Sequence, residues 1–181
     1  MQRTVITPAD LSGAALDDLK GWLGISRPRE DTLLTNLLGA SLSVCEAFIG
    51  QAPLKQIVEE RIQSNAGTYS LATLPARAFV SADWIGQDNA RFSLEHSEFE
   101  FEIDVDRRAS ITLMSDHDSP AILVSFKAGI AEEWSEMPEA LKQGIIRLAA
   151  FHYRDRETGR DAVPPASVAA LWRPWRIVRL T

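Results

Sequence analysis

The segment VSFKAGI at residues 124–130 is followed by MPEALKQGIIRLAAFHYRDR at residues 137–156 and by PPASVAALWRPWRIVRL at residues 164–180. The first segment predicts a strand. The second predicts a long helix, because Pro138 suits a first helical turn and apolar residues then recur at helical spacing. In the third, Pro164 and Pro165 open a short helix that Pro174 ends, which leaves an extended or irregular tail. The chain is therefore organised around a strand, a helix and a basic, aromatic tail.

Composition indicates one globular domain with a lobe inserted in it. The chain has 181 residues, 45% of them hydrophobic, and this is enough to bury a sizeable core. Cys45 is the single cysteine, which excludes an intramolecular disulfide and fits a reducing compartment. The first residues have no apolar segment typical of a signal peptide. We also expect no membrane span, because no apolar run approaches the necessary length.

Charge is unevenly distributed along the chain. The formal net charge is -6. Residues 147–181 contain seven arginines against three acidic residues, a balance of +4, so the remainder carries about -10. Non-specific binding to nucleic acid needs clustered lysine and arginine, which a globally acidic chain lacks. The basic C-terminal region is better suited to an acidic protein surface.

Two amphipathic helices are predicted near the N-terminus. Leu16, Leu19 and Leu23 mark the first, with either Ser12 or Thr7 as its N-cap and Gly24 as its end. The second is expected over about residues 31–49. One apolar face contains Leu34, Leu38, Cys45 and Ile49, and another contains Leu33, Leu37, Val44 and Phe48. A band this wide predicts a central, well-buried helix, and Gly50 should end it.

Short alternating segments predict an antiparallel lobe of five or six strands over about residues 55–128. Residues 56–62, 79–85, 92–94, 111–113 and 122–126 are strand candidates. In residues 98–105, apolar side chains alternate with Glu98, Glu100, Glu102 and Asp104, which indicates a half-buried strand from Phe99 to Val105 with an acidic outer face. The fold class is therefore α+β, with a helical core of two N-terminal helices, one long and one short C-terminal helix, and an inserted antiparallel lobe.

Few residues suggest catalysis or metal binding. His96, His117 and His152 have no second histidine or cysteine at ligand spacing. The sequence Asp116-His117-Asp118 is read as a polar turn, and Cys45 as a small core residue. No phosphate-binding glycine loop, dinucleotide fingerprint or nucleophile elbow is present. We predict no catalytic residue, no metal site and no cofactor.

The tail Trp172-Arg173-Pro174-Trp175-Arg176 combines the residue types that are enriched at interface hot spots. Two interpretations are evenly matched. The tail can be a partner-binding segment, or it can fold back over its own core with Trp172 filling a gap. Both can hold together if Trp172 points inward while Trp175 and the arginines point outward.

The order of these features resembles the head–tail connector (adaptor) proteins of long-tailed double-stranded DNA phages and of gene transfer agents. The resemblance covers nearly the whole chain. In the N-terminal part it is carried by a lysine-containing first helix at Leu16–Leu23 and by the bounds of the second helix at Asp31–Leu34 and Glu46–Gly50. In the middle of the chain it is carried by a Leu-Pro step in Thr73–Pro75 and by a strand ending in Ala-Gly at Val124–Gly129. In the C-terminal part it is carried by a Pro-initiated helix with a Tyr-x-x-Arg pattern at Met137–Arg156 and by an ending with Pro, Leu, Pro and Arg at Pro164–Arg176.

The resemblance implies a structural protein without enzymatic activity. Such adaptors form a ring, usually dodecameric, beneath the portal, extend the channel for double-stranded DNA without reading its sequence, and present a surface to the next connector or stopper. It implies residence in the virion at the head–tail junction after assembly in the bacterial cytoplasm, and a single connector domain over residues 1–181. The C-terminal tail, about residues 160–181, should dock onto the portal through Leu171, Trp172, Arg173, Pro174, Trp175, Arg176, Ile177, Arg179 and Leu180.

A closed ring needs two different complementary patches on each subunit. The acidic strand and the arginine-rich helix end have opposite signs, so we expect them to meet between neighbouring copies. The candidate residues are Glu98, Glu100, Glu102, Arg147, Arg154 and Arg156. Two alternatives stay open: a small α+β enzyme or ligand-binding domain without a recognisable motif, and a generic interaction module that uses the tail as a peptide ligand.

Overall fold

A computed structural model describes residues 2–86, 88–154 and 164–177. The chain divides into two compact units. The strand unit consists of the residues up to Pro8 together with Lys55–Gly129, and the helical unit consists of Ala9–Leu54 together with the residues from Ile130 on. The predicted α+β class is confirmed. The description of the chain as a single connector domain with a docking tail stays a prediction.

The strand unit contains two antiparallel sheets. Strands β1 (Gln2–Thr7), β2 (Gln56–Ile62), β4 (Ala76–Ile85), β5 (Arg91–Ser93) and β8 (Ile122–Ala128) form the larger sheet in the order β1-β2-β8-β4-β5. Strands β3 (Gly67–Ser70), β6 (Phe99–Ile103) and β7 (Ala109–Leu113) form the smaller sheet in the order β3-β7-β6. Every pairing between these strands is antiparallel.

Aromatic side chains join the two sheets of the strand unit. The Phe79 ring of β4 lies 5.2 Å from the Phe99 ring and 5.0 Å from the Phe101 ring of β6. The central strand β8 is buried over Ile122–Phe126. Such tilted aromatic pairs combine a large apolar contact with favourable ring electrostatics. They hold β6 by its inner face, so its acidic side chains are left on the outside.

The helical unit contains four α-helices within the described residues: α1 (Ala14–Leu23), α2 (Asp31–Ile49), α3 (Glu139–Arg154) and α4 (Ala166–Trp172). One apolar cluster joins them, and its fully buried members include Leu19, Leu34, Leu38, Ile145 and Trp172. Polar contacts at the edge of this cluster include the ion pair between Lys20 Nζ and Asp31 Oδ1, 2.7 Å apart.

Glycines end both N-terminal helices as predicted. Gly24 and Gly50 have φ values of 70° and 75°, in the left-handed region where glycine meets no Cβ penalty. The N-cap predictions for α1 are wrong. Gly13 precedes the helix without a side-chain cap. Ser12 instead directs its N–H and hydroxyl to Asp10 Oδ1, and Thr7 is the last residue of β1.

The prediction of five or six strands is also wrong, because the described residues form eight. Strands β1 and β3 are the additions. All six residues of β1 are exposed, so no alternation marks it in the sequence. Strand β6 ends at Ile103, and Val105 lies in the following turn with 97% of its surface exposed. The predicted burial of Val105 is therefore wrong.

One helical stretch contradicts the expectation that no segment approaches a membrane span. Among the described residues, Pro28–Ile49 is long and apolar enough to cross a membrane by length and composition. Core helices of water-soluble proteins meet the same criterion. Here Leu34, Leu38, Cys45 and Ile49 are fully buried against the other helices of the unit. This face therefore belongs to the core of the helical unit. The predicted burial of the second face is wrong in part, because Leu33 is exposed and Leu37, Val44 and Phe48 are only partly buried.

Candidate interaction site

The C-terminal segment, Leu171–Ile177, packs against its own helical unit through Trp172. The Trp172 side chain is fully buried, and its ring centre lies 5.9 Å from that of Phe48 on α2. Its indole N–H donates to the Leu141 carbonyl at 3.4 Å. Gly144 leaves the space that the indole occupies, because a Cβ at that position would lie 2.6 Å from Trp172 Cε2. The interpretation of Trp172 as a core residue is confirmed.

Backbone contacts attach the rest of this segment to the end of α2. The Ile177 N–H donates to the Ile49 carbonyl at 2.9 Å. The Gln51 side-chain amide donates to the Trp175 carbonyl at 2.8 Å. The Arg176 guanidinium lies 5.7 Å from the centre of the Phe48 ring. The C-terminal segment therefore has a fixed position on the helical unit.

The outward-facing part of the C-terminal segment is small. Arg173, Pro174 and Arg176 are exposed, whereas Leu171, Trp175 and Ile177 are half-buried. The prediction that Trp175 points outward is therefore wrong in part, since its ring packs against the core. The residues Arg173–Trp175 form a 3-10 turn rather than an extended segment. Arg179 and Leu180 lie outside the described residues.

A second surface of the helical unit combines arginines with exposed aromatic rings. Arg147, Phe151 and Arg154 lie at helical spacing on one face of α3. Trp22 and Phe151 are 45% and 39% exposed, and the Arg147 guanidinium lies 5.7 Å from the centre of the Trp22 ring. A groove of about 580 Å³ runs between these side chains and the start of α4. Its lining residues, which we name the arginine–aromatic groove, are Trp22, Arg147, Ala150, Phe151, Arg154, Pro165, Ser167 and Val168.

Sequence analysis selected Arg147 and Arg154 by charge and missed the aromatic half of this groove. Trp22 belongs to α1, and only the packing of α1 against α3 brings its ring beside Arg147. The sequence signal for Phe151 was its position four residues after Arg147 and three before Arg154. Arg156, the third arginine of the prediction, lies outside the described residues.

The acidic candidates lie on and beside the edge strand β6. Glu100 and Glu102 are exposed on its outer face, opposite Thr112 and Ser110 of β7. Glu98 precedes the strand, is half-buried, and accepts the Glu95 N–H through Oε2 at 2.7 Å. The structure therefore groups Glu100 with Glu102 and gives Glu98 a local capping contact. The acidic residues nonetheless form one run, because residues 95–106 contain six carboxylates and no lysine or arginine.

The turn after β6, here named the hairpin tip, consists of Asp104, Val105, Asp106 and Arg107. Asp104 donates its N–H to the Arg108 carbonyl at 2.9 Å and accepts the Arg107 N–H at 3.0 Å. Its carboxylate accepts the Arg108 N–H at 2.8 Å. Arg107 takes a left-handed φ of 59°. These contacts order the turn while Val105 projects from it. The sequence did not predict this exposure, because Val105 continues the alternation of β6.

The described residues offer little for catalysis. Within residues 2–86, 88–154 and 164–177, no group of three His, Cys, Asp or Glu side chains is placed to hold a metal ion. Cys45 is fully buried, and this burial raises the pKa of its thiol, which confirms it as a core residue. Asp116 accepts the Ala66 N–H at 2.7 Å, and His117 donates its N–H to the Ser64 carbonyl at 2.9 Å, so this polar segment is held against the residues before β3.

Comparison with known proteins identifies the fold through solved structures. No protein-family model and no curated protein matches the chain. A chain from the neck of an empty gene transfer agent (GTA) particle, with C6 symmetry, is similar with a TM-score of 0.77 and 20% sequence identity. A chain from a native GTA virion gives 0.74, and one from a native GTA neck with C12 symmetry gives 0.75, both at 20% identity. Each comparison covers 100% of this chain and 98% of the other. The protein therefore shares its whole α+β fold with chains of these particles.

Proposed function

We propose that this protein is a structural head–tail adaptor that assembles as a ring beneath a portal, extends the DNA channel and links the capsid to the tail or to the next connector. The observation that carries the proposal is the whole-chain fold likeness to chains from GTA particles, including necks with C6 and C12 symmetry. In this role the protein has no enzymatic activity and resides in the virion after assembly in the bacterial cytoplasm.

Opposite charges on two separate surfaces support ring formation. Head-to-tail contacts close into a ring when each copy presents two different, complementary patches. Glu98, Glu100 and Glu102 belong to the acidic run, whereas Arg147 and Arg154 line the arginine–aromatic groove. We propose that these surfaces, with Arg156, face each other between neighbouring copies. Aromatic and arginine side chains are also the types that contribute most to binding at protein interfaces.

The C-terminal segment supplies the proposed contact with the portal. Its position is fixed by Trp172 and by the bond from Ile177 to Ile49, so Arg173, Pro174 and Arg176 are presented without a large ordering cost. Arg179 and Leu180 complete the predicted docking tail. The net charge of -6 suits a channel through which DNA slides, because a lysine-rich lining would hold phosphates.

Native mass spectrometry of the purified protein, alone and with its cognate portal, tests this proposal. We expect a stoichiometric complex of a ring with the portal. Because Trp172 belongs to the core, deleting the whole tail would also damage the fold. The sharper variant is Arg173→Glu/Arg176→Glu, which should abolish the complex. Arg27→Glu/Arg29→Glu changes two other exposed arginines of the same unit and should leave it intact.

The opposite results would count against the adaptor. A monomer that ignores the portal in every condition would overturn the proposal. If that monomer also carried a bound small molecule, the alternative of a small enzyme or ligand-binding domain would take its place. A complex that tolerates Arg173→Glu/Arg176→Glu would leave the adaptor standing and would remove the C-terminal segment as its docking site.

A further inference from the structure

We infer that the hairpin tip of one copy binds in the arginine–aromatic groove of the next copy. This inference rests on the proposed ring and names the side chains that join its subunits. It is carried by two features that stay open within the described residues of one copy: an apolar side chain exposed between two aspartates, and a groove with apolar walls flanked by two arginines.

The apolar parts of the two surfaces match. Val105 is 97% exposed, which is the highest exposure of any large hydrophobic residue in the described parts of the chain. The groove offers Trp22, Phe151 and Val168 as walls. Its volume of about 580 Å³ lies within the range of about 300–1,000 Å³ that is typical of ligand-binding clefts. A short turn with one projecting valine therefore has room to enter.

The charged parts match as well. Asp104 and Asp106 stand on either side of Val105, and Glu100 and Glu102 continue the negative charge along β6. Arg107 and Arg108 follow, so residues 100–108 contain four carboxylates against two arginines and keep a balance of -2. Arg147 and Arg154 are seven residues apart on α3, which separates their Cα atoms by about 10 Å along the helix axis. Their long side chains are able to approach the aspartates from both sides, since guanidinium groups form strong hydrogen bonds with carboxylates.

The internal hydrogen bonds of the hairpin tip favour binding. Three bonds between Asp104 and residues 107–108 order the turn before any partner arrives. A pre-ordered turn loses less conformational entropy on binding than a flexible loop would. The tip and the groove are also two different patches, as a head-to-tail ring requires. A second copy is the occupant that charge complementarity favours over DNA, because the tip carries both the carboxylates and the apolar side chain that the groove accepts.

The first test replaces Val105 and follows ring assembly on the cognate portal by native mass spectrometry. Because Val105 is almost fully exposed, Val105→Ser should leave the melting temperature unchanged. We expect the protein concentration needed for assembly to rise by about tenfold or more, since burying a valine side chain favours association. Val80→Ser is the matched control, because Val80 is a 43% exposed valine on β4. It should assemble like the wild-type protein.

The second test is a crosslink between two different single-cysteine variants. Val105→Cys protein is mixed with Ser167→Cys protein in the presence of the portal and treated with a short thiol-to-thiol reagent. A covalent dimer can contain both engineered cysteines only if the tip of one copy reaches the groove of another. Cys45 is buried and should not react. The mixture of Val80→Cys and Ser167→Cys is the control and should give no dimer.

The possible results separate the two proposals. A normal ring on the portal with no Val105–Ser167 crosslink, or unchanged assembly of Val105→Ser, would overturn the inference and leave the adaptor function standing. A crosslink from Ser167→Cys to the portal, or protection of the groove by DNA, would assign the groove to another partner and also overturn it. Failure of the wild-type protein to form any ring would remove the adaptor function and this inference with it.

Discussion

The C-terminal segment and the hairpin tip show opposite relations between sequence and exposure. The C-terminal segment contains two tryptophans among arginines, the composition of an interface, yet Trp172 is fully buried in its own unit. In the sequence, the hairpin tip continues the alternation of an ordinary amphipathic strand, yet Val105 is 97% exposed. Residue type therefore identifies which side chains favour burial. The fold determines whether these side chains are buried in their own core or left exposed to another molecule.

The largest loss of stability should come from Trp172→Ala, which removes the tryptophan that is buried in its own unit. Loss of a buried tryptophan typically lowers the free energy of unfolding by about 3–5 kcal/mol. Trp22→Ala removes an exposed tryptophan of the same unit and should cost about 1 kcal/mol or less, mainly its contact with Arg147. Denaturant unfolding of both variants measures the difference. Equal losses would mean that Trp172 is not held as described.

A smaller effect is expected when the space for Trp172 is reduced instead. Gly144→Ala places a Cβ against the indole, and such overpacking costs about 1–3 kcal/mol. Gly39→Ala is the control, because a Cβ at that position of α2 has no neighbour within 4 Å. Alanine is the better helix former, so Gly39→Ala should stabilise the protein by about 0.5–1 kcal/mol. A lower melting temperature for Gly144→Ala and a higher one for Gly39→Ala would support the packing of Trp172 against Gly144. A higher melting temperature for Gly144→Ala would contradict it.

The strand unit offers the same contrast between a buried and an exposed glutamate. The fully buried carboxylate of Glu60 accepts the N–H groups of Ala72 and Thr73 and the Thr73 hydroxyl, at 2.6–2.7 Å. Glu60→Gln replaces one acceptor by a donor and should cost about 1 kcal/mol or more. Glu100→Gln, on the exposed face of β6, should change the free energy of unfolding by about 0.5 kcal/mol or less. Chemical denaturation of the two variants measures this difference. If both unfolded at the wild-type denaturant midpoint, the described hydrogen bonds of Glu60 would be contradicted.

The smallest effect concerns Cys45 and the pH. Burial raises the pKa of this thiol above its usual range, so the folded protein keeps it neutral where the unfolded chain begins to ionise. The unfolded state then binds fewer protons, and stability should fall slightly as the pH rises above about 8.5. Cys45→Ala should remove only the part of the stability loss at alkaline pH that comes from this thiol. A thiol reagent should label Cys45 in the native protein far more slowly than in denaturant, and equally fast labelling would contradict its burial.

Local patterns predicted the helices well because their signals lie in neighbouring residues. The end of α2 follows from Gly50, and of its two apolar faces the one with Leu34, Leu38, Cys45 and Ile49 is the buried one. Strand β1 gave no such signal, since both of its faces are exposed. The alternation of β6 continued into the turn because Asp104 and Val105 fit the same period, although the side chain of Asp104 closes that turn.

The candidate site was harder to predict because its parts come together only in the fold. The sequence identified Arg147 and Arg154 by charge, but Trp22 is 125 residues before Arg147 in the chain. The burial of Trp172 depends on the missing side chain of Gly144 on another helix. No periodicity within one segment carries that information. Three-dimensional packing was needed to separate the core tryptophan from the exposed one.

The hydrogen bond from the Ile177 N–H to the Ile49 carbonyl also has a mechanical consequence. Tension applied at the C-terminal segment does not have to unwind α4 one turn at a time. It passes through the Ile177 N–H and the buried Trp172 ring into the ends of α2 and α3. Pulling the segment away would therefore have to break this hydrogen bond and extract the Trp172 ring from its contacts with Phe48 and Leu141.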